Sequence, residues 1–169
     1  VGPAPRELHL FEPNPQVFSM ARSGLGNFPF AHVHQAALSD RYGLVRMKIP
    51  SGSSTLGSLD PEGEVEVQCL RGDDLVFDEK MARPDIIKID TEGHELSVLA
   101  GLGRVIAEHR PCIFFEHLSL GDVEIEKAIP AGYRLFSVND ADGSLQPGLD
   151  RRAGHNSVLL PEEQIDGGP

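Results

Sequence analysis

The chain has 169 residues, enough for one domain with a sizeable core, and its 40% hydrophobic and 24% charged content is that of a globular protein. Its formal net charge of -11 argues against a nucleic-acid backbone as the main partner, because phosphate binding needs clustered Lys and Arg. No apolar stretch is long enough to cross a membrane and no targeting segment is visible, so neither a membrane partner nor a location outside the cytoplasm is expected; the start at Val1 rather than Met fits a processed chain or a fragment.

Taken in chain order, Leu8 to Glu12 forms the first strand candidate, stopped by Pro13-Asn14-Pro15, which opens a helix from about Pro15 to Arg22. Ala31 to Gln35 is a second strand, with His32 and His34 alternating onto one face in a packing or edge-strand role. Leu44–Ile49 and Val65–Leu70 read as a strand pair joined by a long Gly/Ser/Pro/Asp loop, Pro50 to Gly63, whose Ser51–Ser58 part is a candidate lid. A helix from Asp73 to Met81 precedes the apolar run Ile86–Ile89, entered through Arg83-Pro84. A helix follows from near Glu92 to Leu99, with Gly101 and Gly103 weighing against its continuation. Cys112 to Glu116 is the next buried strand, then a helix from Asp122 to Ile129, and Tyr133–Val138 and Ser157–Leu160 are the last strands, flanking a polar loop. Cys69 and Cys112 sit in apolar runs and read as buried free thiols. Alternating strands and helices predict one α/β domain over residues 1–169, ordered from about 8 to 160. Its sheet is mainly parallel, with antiparallel exceptions at Leu44–Leu70 and in the C-terminal strands.

Acids end three of these strands: Glu12, Asp90 with Glu92, and Glu116. In open α/β sheets ligands bind outside the carboxyl ends of the strands, and an acid there can accept from both hydroxyls of a ribose, a role that fits Glu12. If the chain stays extended through Glu92, Asp90 and Glu92 point the same way. The alternative for Glu92 is to complement the dipole of the following helix. His94 and His117, beside these acids, are candidates for a general base or a His/carboxylate metal cluster, although their spacing matches no named metal motif. Glu116 and His117 either touch substrate or hold a neighbouring loop.

One ordered set of segments is more specific. It comprises Leu10-Phe11-Glu12-Pro13-Asn14-Pro15, Ala36-Ala37-Leu38-Ser39-Asp40, Gly52-Ser53-Ser54-Thr55-Leu56, Ile87-Lys88-Ile89-Asp90-Thr91-Glu92-Gly93, and Arg110-Pro111 leading to Phe115-Glu116-His117. In this order they resemble the FkbM family of S-adenosylmethionine-dependent methyltransferases, over about Leu8 to Leu160. The resemblance implies a class I methyltransferase (Rossmann-like) three-layer sandwich and O-methylation of a hydroxyl on a sugar or other small metabolite. It implies that Glu12, beside Asn14, binds the cofactor's ribose. Ala37 and Leu38 would lie near the adenine, with Ser39 or Asp40 accepting from its amine. Asp90 and Glu92 would line the reaction centre, with His94 and Glu116 next to them. A carboxylate of raised pKa could remove the hydroxyl's proton, or a divalent ion held by both acids could acidify that hydroxyl.

Family members carry an earlier strand and a glycine-rich loop that wraps the cofactor's methionine end, whereas only Val1 to Glu7 precede the Glu12 strand here. The expected fold therefore lacks that strand and its helix. The missing strand would lie between the Glu12 and Ile86–Ile89 strands, leaving backbone groups unpaired unless those two close together. Weak cofactor binding by the chain as it stands follows. Two rival readings are a non-catalytic methyltransferase-like remnant used for binding or assembly, and a metal-dependent hydrolase using the acids.

Overall fold

The computed structural model describes residues 6–49 and 57–166. Its first unit is β1 (Leu8–Phe11), α1 (Pro15–Leu25) and β2 (Ala31–His34), with β1 parallel to β2. The turn between β1 and α1 follows from its sequence. Pro15 pre-sets the first helical residue, and Asn14 caps the helix by accepting from the Gln16 N–H at 3.0 Å.

The second unit is a four-stranded sheet in the order β3-β6-β4-β5, made of β3 (Ala37–Leu38), β4 (Gly43–Lys48), β5 (Ser58–Leu59) and β6 (Val65–Leu70). The expected β4–β6 pair is there, antiparallel with Val45 opposite Val67. The lid candidate lies almost wholly outside the described residues. A short helix α2 (Gly72–Phe77) follows, ending before the expected Met81.

The third unit holds the main core. It is a five-stranded sheet, β10-β9-β11-β8-β7, built from β7 (Ile86–Ile89), β8 (Cys112–Glu116), β9 (Tyr133–Val138), β10 (Leu145–Pro147) and β11 (Asn156–Pro161). Helices α3 (Glu95–Gly101), α4 (Gly103–His109) and α5 (Asp122–Ala128) cover it, and α6 (Glu162–Asp166) closes the chain. Ile89, Ile113, Phe115, Val105, Ile125 and Leu159 are each at most 2% exposed, which places the core between this sheet and its helices. Both cysteines are free, Cys69 fully buried and Cys112 only partly.

One expectation needs correction, and one alternative left open is decided. The sheet is not mainly parallel: β1/β2, β3/β6 and β7/β8 are parallel, while the other five described pairs are antiparallel. Nor do the Glu12 and Ile86–Ile89 strands close on each other. Among the described residues β1 pairs only with β2 and β7 only with β8, and Ile86 at the start of β7 is 68% exposed. The fold is α/β with mixed sheets.

The helix expected from Glu92 to Leu99 begins three residues later and is followed at once by α4. Gly101 explains the join. A Cβ there would collide with the Ser39 carbonyl, so α3 ends in backbone contact with the loop after β3. The start of α4 is then capped from a distance: Asp73 accepts from the Arg104 N–H at 3.1 Å and the Val105 N–H at 2.9 Å.

Candidate functional site

The exit of β7 is a tight, held loop. Glu92 adopts φ 54° and Gly93 φ 101°, so the chain does not stay extended through Glu92 as the alternation argument assumed. Two left-handed residues turn it sharply into α3. The turn is fixed by a residue that sequence reasoning passed over, Glu95. One of its oxygens accepts from the Thr91 N–H, the Thr91 hydroxyl and the Gly93 N–H, each at 3.1 Å. Glu95 is 1% exposed, and its second oxygen is buried without a protein partner. The available signal was a third acid, three residues past Glu92, in the first turn of the helix.

This loop presents Asp90 and Glu92 as exposed carboxylates. Asp90 is paired with Lys88 at 3.2 Å, and the same ammonium donates to the Asn156 side chain at 3.4 Å. Asn156 lies opposite Glu116 in the β8–β11 ladder, so Lys88 ties the exit of β7 to the start of β11 beside Glu116. Burial, and then the charges of Asp90 and Glu92, push the Glu116 pKa up, with Lys88 opposing. The structure therefore brings Asp90, Glu92 and Glu116 within electrostatic reach of one another at adjacent parallel strand ends.

The histidines go elsewhere. His94 is half-buried, with Nε2 2.9 Å from the Ser39 hydroxyl, which also donates to Asp40 at 3.0 Å. Burial, partly offset by Asp40, pushes the His94 pKa down. His117 is fully buried against the Ser157 hydroxyl, 3.1 Å from Nδ1, and burial pushes its pKa down too. Neither ring joins the acids, and among the described residues no three His, Cys, Asp or Glu side chains are arranged to hold one metal ion.

At the end of β1, Glu12 accepts from the Asn14 N–H at 2.7 Å, and burial pushes its pKa up against that hydrogen bond. Asn14 itself is 1% exposed and committed to capping α1. Ala37 is buried and Leu38 partly so, in β3. Ser39 is buried within its own network, whereas Asp40 is exposed. No strand ladder among the described residues connects Glu12 to Asp90.

Comparison with known proteins places this architecture. The model of the methyltransferase FkbM domain matches residues 6–140, and the chain belongs to that family. The hexuronic acid methyltransferase AglP of Haloferax volcanii is 26% identical over 121 residues, covering 70% of this chain and 51% of that protein. The chain thus spans about half the length of that curated relative. The crystal structure of methyltransferase FkbM from Methylobacillus flagellatus KT superposes with a TM-score of 0.59 at 17% identity, over 92% of this chain and 36% of that one. This second likeness concerns the fold.

Proposed function

We propose that the chain carries an S-adenosylmethionine-dependent O-methyltransferase activity toward a hydroxyl of a sugar or similar small metabolite. The observation that carries the reading is the cluster of Asp90, Glu92 and Glu116 at the exits of β7 and β8, in a chain of this family. The name of the Haloferax relative supports a carbohydrate acceptor.

The donor set suits part of the cofactor. Glu12, held by the Asn14 N–H, is an acceptor for ribose hydroxyls, and the exposed Asp40 is an acceptor for an adenine amine. Ser39, Asn14 and His94 are occupied with one another or with the backbone, and serve by fixing that wall. When bound, S-adenosylmethionine supplies an electrophilic methyl group on a sulfonium. The acids handle the acceptor. Asp90, locked by Lys88, orients the hydroxyl. Glu116, whose raised pKa marks a stronger base than an ordinary carboxylate, takes the hydroxyl's proton.

The test is methyl transfer to a panel of neutral sugars and uronates by the chain and its upstream-extended form. Glu116→Gln and Asp90→Asn should lower turnover about 100- to 10,000-fold with cofactor affinity nearly unchanged. Chelators should leave the wild type active. Loss of activity on chelation would move Asp90 and Glu92 to a metal-holding role. Near-wild-type turnover in both variants would reject the assignment. One observation favours a second reading, a binding or assembly role without catalysis: among the described residues no strand ladder joins β1 to β7. That reading predicts no transfer by either form of the chain.

A further inference from the structure

Three imidazoles share one face of the β1–β2 ladder, away from the acids at the β7 exit. His32 and His34 are two residues apart on β2, so they point the same way. The register sets His9 directly opposite His32, and Phe11 opposite His34. The His9 ring stacks on His32 with centroids 4.9 Å apart and on His34 at 5.3 Å, and Phe11 stacks on His34 at 4.6 Å. His9 Nδ1 lies 3.0 Å from His34 Nε2, and His9 Nε2 lies 3.2 Å from a Glu7 carboxylate oxygen. Two further charges bear on the cluster. Glu79, from the segment after α2, acts on His34, and Arg22 of α1 borders the hollow that His32 and His34 line.

We propose that this imidazole stack is an acid-sensitive latch on the β1–β2 ladder, closed while His9 and His34 share one N–H···N hydrogen bond and opened when both rings are charged. A carboxylate oxygen only accepts, so the His9 proton sits on Nε2, toward Glu7, and His9 Nδ1 accepts from the His34 Nε2–H. The other His34 nitrogen, Nδ1, is then bare. One added proton fits there without breaking the bond, beside the Phe11 ring and within reach of Glu79. A second proton must go to His9 Nδ1. It turns the acceptor into a donor, so two N–H groups face each other between two charged, stacked rings. His32 is exposed and stacked on His9, and its own protonation adds a third like charge beside the fixed charge of Arg22. Glu7 and Glu79 offset only part of this repulsion. Burial, and then the charges of His9 and His32, push the His34 pKa down from its ordinary 6.5, with Glu79 opposing. A histidine held below its unfolded value takes its proton first in the open chain. The closed ladder therefore has its full strength above about pH 6.5 and loses it as the pH falls below that value. The ladder bears on Glu12, whose N–H donates to the His34 carbonyl at 3.0 Å just past β1. That acid would free a ribose acceptor rests on the role proposed above for Glu12; the latch itself does not.

Hydrogen exchange of the full chain between pH 7.5 and 5.5 reads the latch directly. The Leu8 amide, bonded to the Phe30 carbonyl at 2.8 Å, and the Glu12 amide report on the ladder, while the Cys112 amide, bonded to the Asp85 carbonyl at 3.0 Å, is a reference outside it. With intrinsic exchange rates divided out, protection of Leu8 and Glu12 should fall about tenfold relative to Cys112 over that range, the effect of one proton that the closed ladder excludes. In His9→Gln and in His34→Gln the remaining ring of the pair can charge without a clash, so the fall should shrink to less than about threefold. Imidazole nitrogen NMR of the wild type needs no variant to fold, and at neutral pH it should place the His9 proton on Nε2. Relative protection that is constant with pH would overturn the latch, as would a fall that is undiminished in both variants. Wild-type His9 and His34 both charged in acid while the ladder amides keep their protection would overturn it too. Because the readouts are backbone exchange and ring protonation, the outcome is independent of methyl transfer.

Discussion

Removing the Glu95 carboxylate should loosen the loop that presents Asp90 and Glu92 and lower the stability of the whole domain. Glu95→Ala deletes the acceptor for two backbone N–H groups and one hydroxyl. A hydrogen bond to a charged group contributes a net of about 1.5–3 kcal/mol when its partners stay dry. Thr91 is half-buried and Gly93 exposed, so water recovers part of that sum. The buried stem also loses its packing. Together these give about 2–4 kcal/mol. Glu95→Gln keeps an acceptor for the loop but places an amide where the second oxygen now sits without a partner, so its cost is about 1–2 kcal/mol. With a urea slope of about 2 kcal/mol/M for a chain of this size, the unfolding midpoint should fall by about 1–2 M in the alanine variant and by about half that in the glutamine variant. Hydrogen exchange gives the local half of the result, because the Thr91 and Gly93 amides should lose protection well before the β8 amides do. A midpoint shift below about 0.3 M in Glu95→Ala, with Thr91 and Gly93 protection unchanged, would refute the idea that this side chain holds the loop.

Asp73→Ala should lower stability by about 2 kcal/mol in the same urea assay, because it uncaps α4, while Asp73→Asn should recover part of the loss by still accepting from Arg104 or Val105. Glu163 tests the C-terminal helix: Arg110 donates to both of its oxygens at 2.9 Å and holds its pKa down at about 2, against 4.5 for an ordinary glutamate. A depressed carboxylate stabilises the fold above its unfolded value and ceases to do so as pH falls through its folded one. Exchange protection of α6 should therefore drop between pH 4.5 and about 2, a dependence that Glu163→Gln abolishes.

What could be read in advance was what the local pattern determines. Ile86–Ile89 and Cys112–Glu116 are apolar runs bounded by proline or charge, and both appear with the expected limits. The acids at their ends were equally visible, and so was the FkbM likeness, because the first is local and the second rests on short local segments recurring in a fixed order along the chain. Partners distant in sequence were not visible. The glycines at 101 and 103 looked like the end of a helix, yet Gly101 is there so that α3 can meet the Ser39 carbonyl, and α4 restarts on a cap about thirty residues away. Glu95 drew no reading from the sequence, because only the left-handed turn at Glu92 and Gly93 folds the loop back onto it. The same holds for the imidazole face. Alternation alone puts His32 and His34 together, but His9 joins them only because β1 lies parallel to β2 with His9 opposite His32. A slip of one residue would turn His9, and Glu7 with it, away from the face that carries His32 and His34.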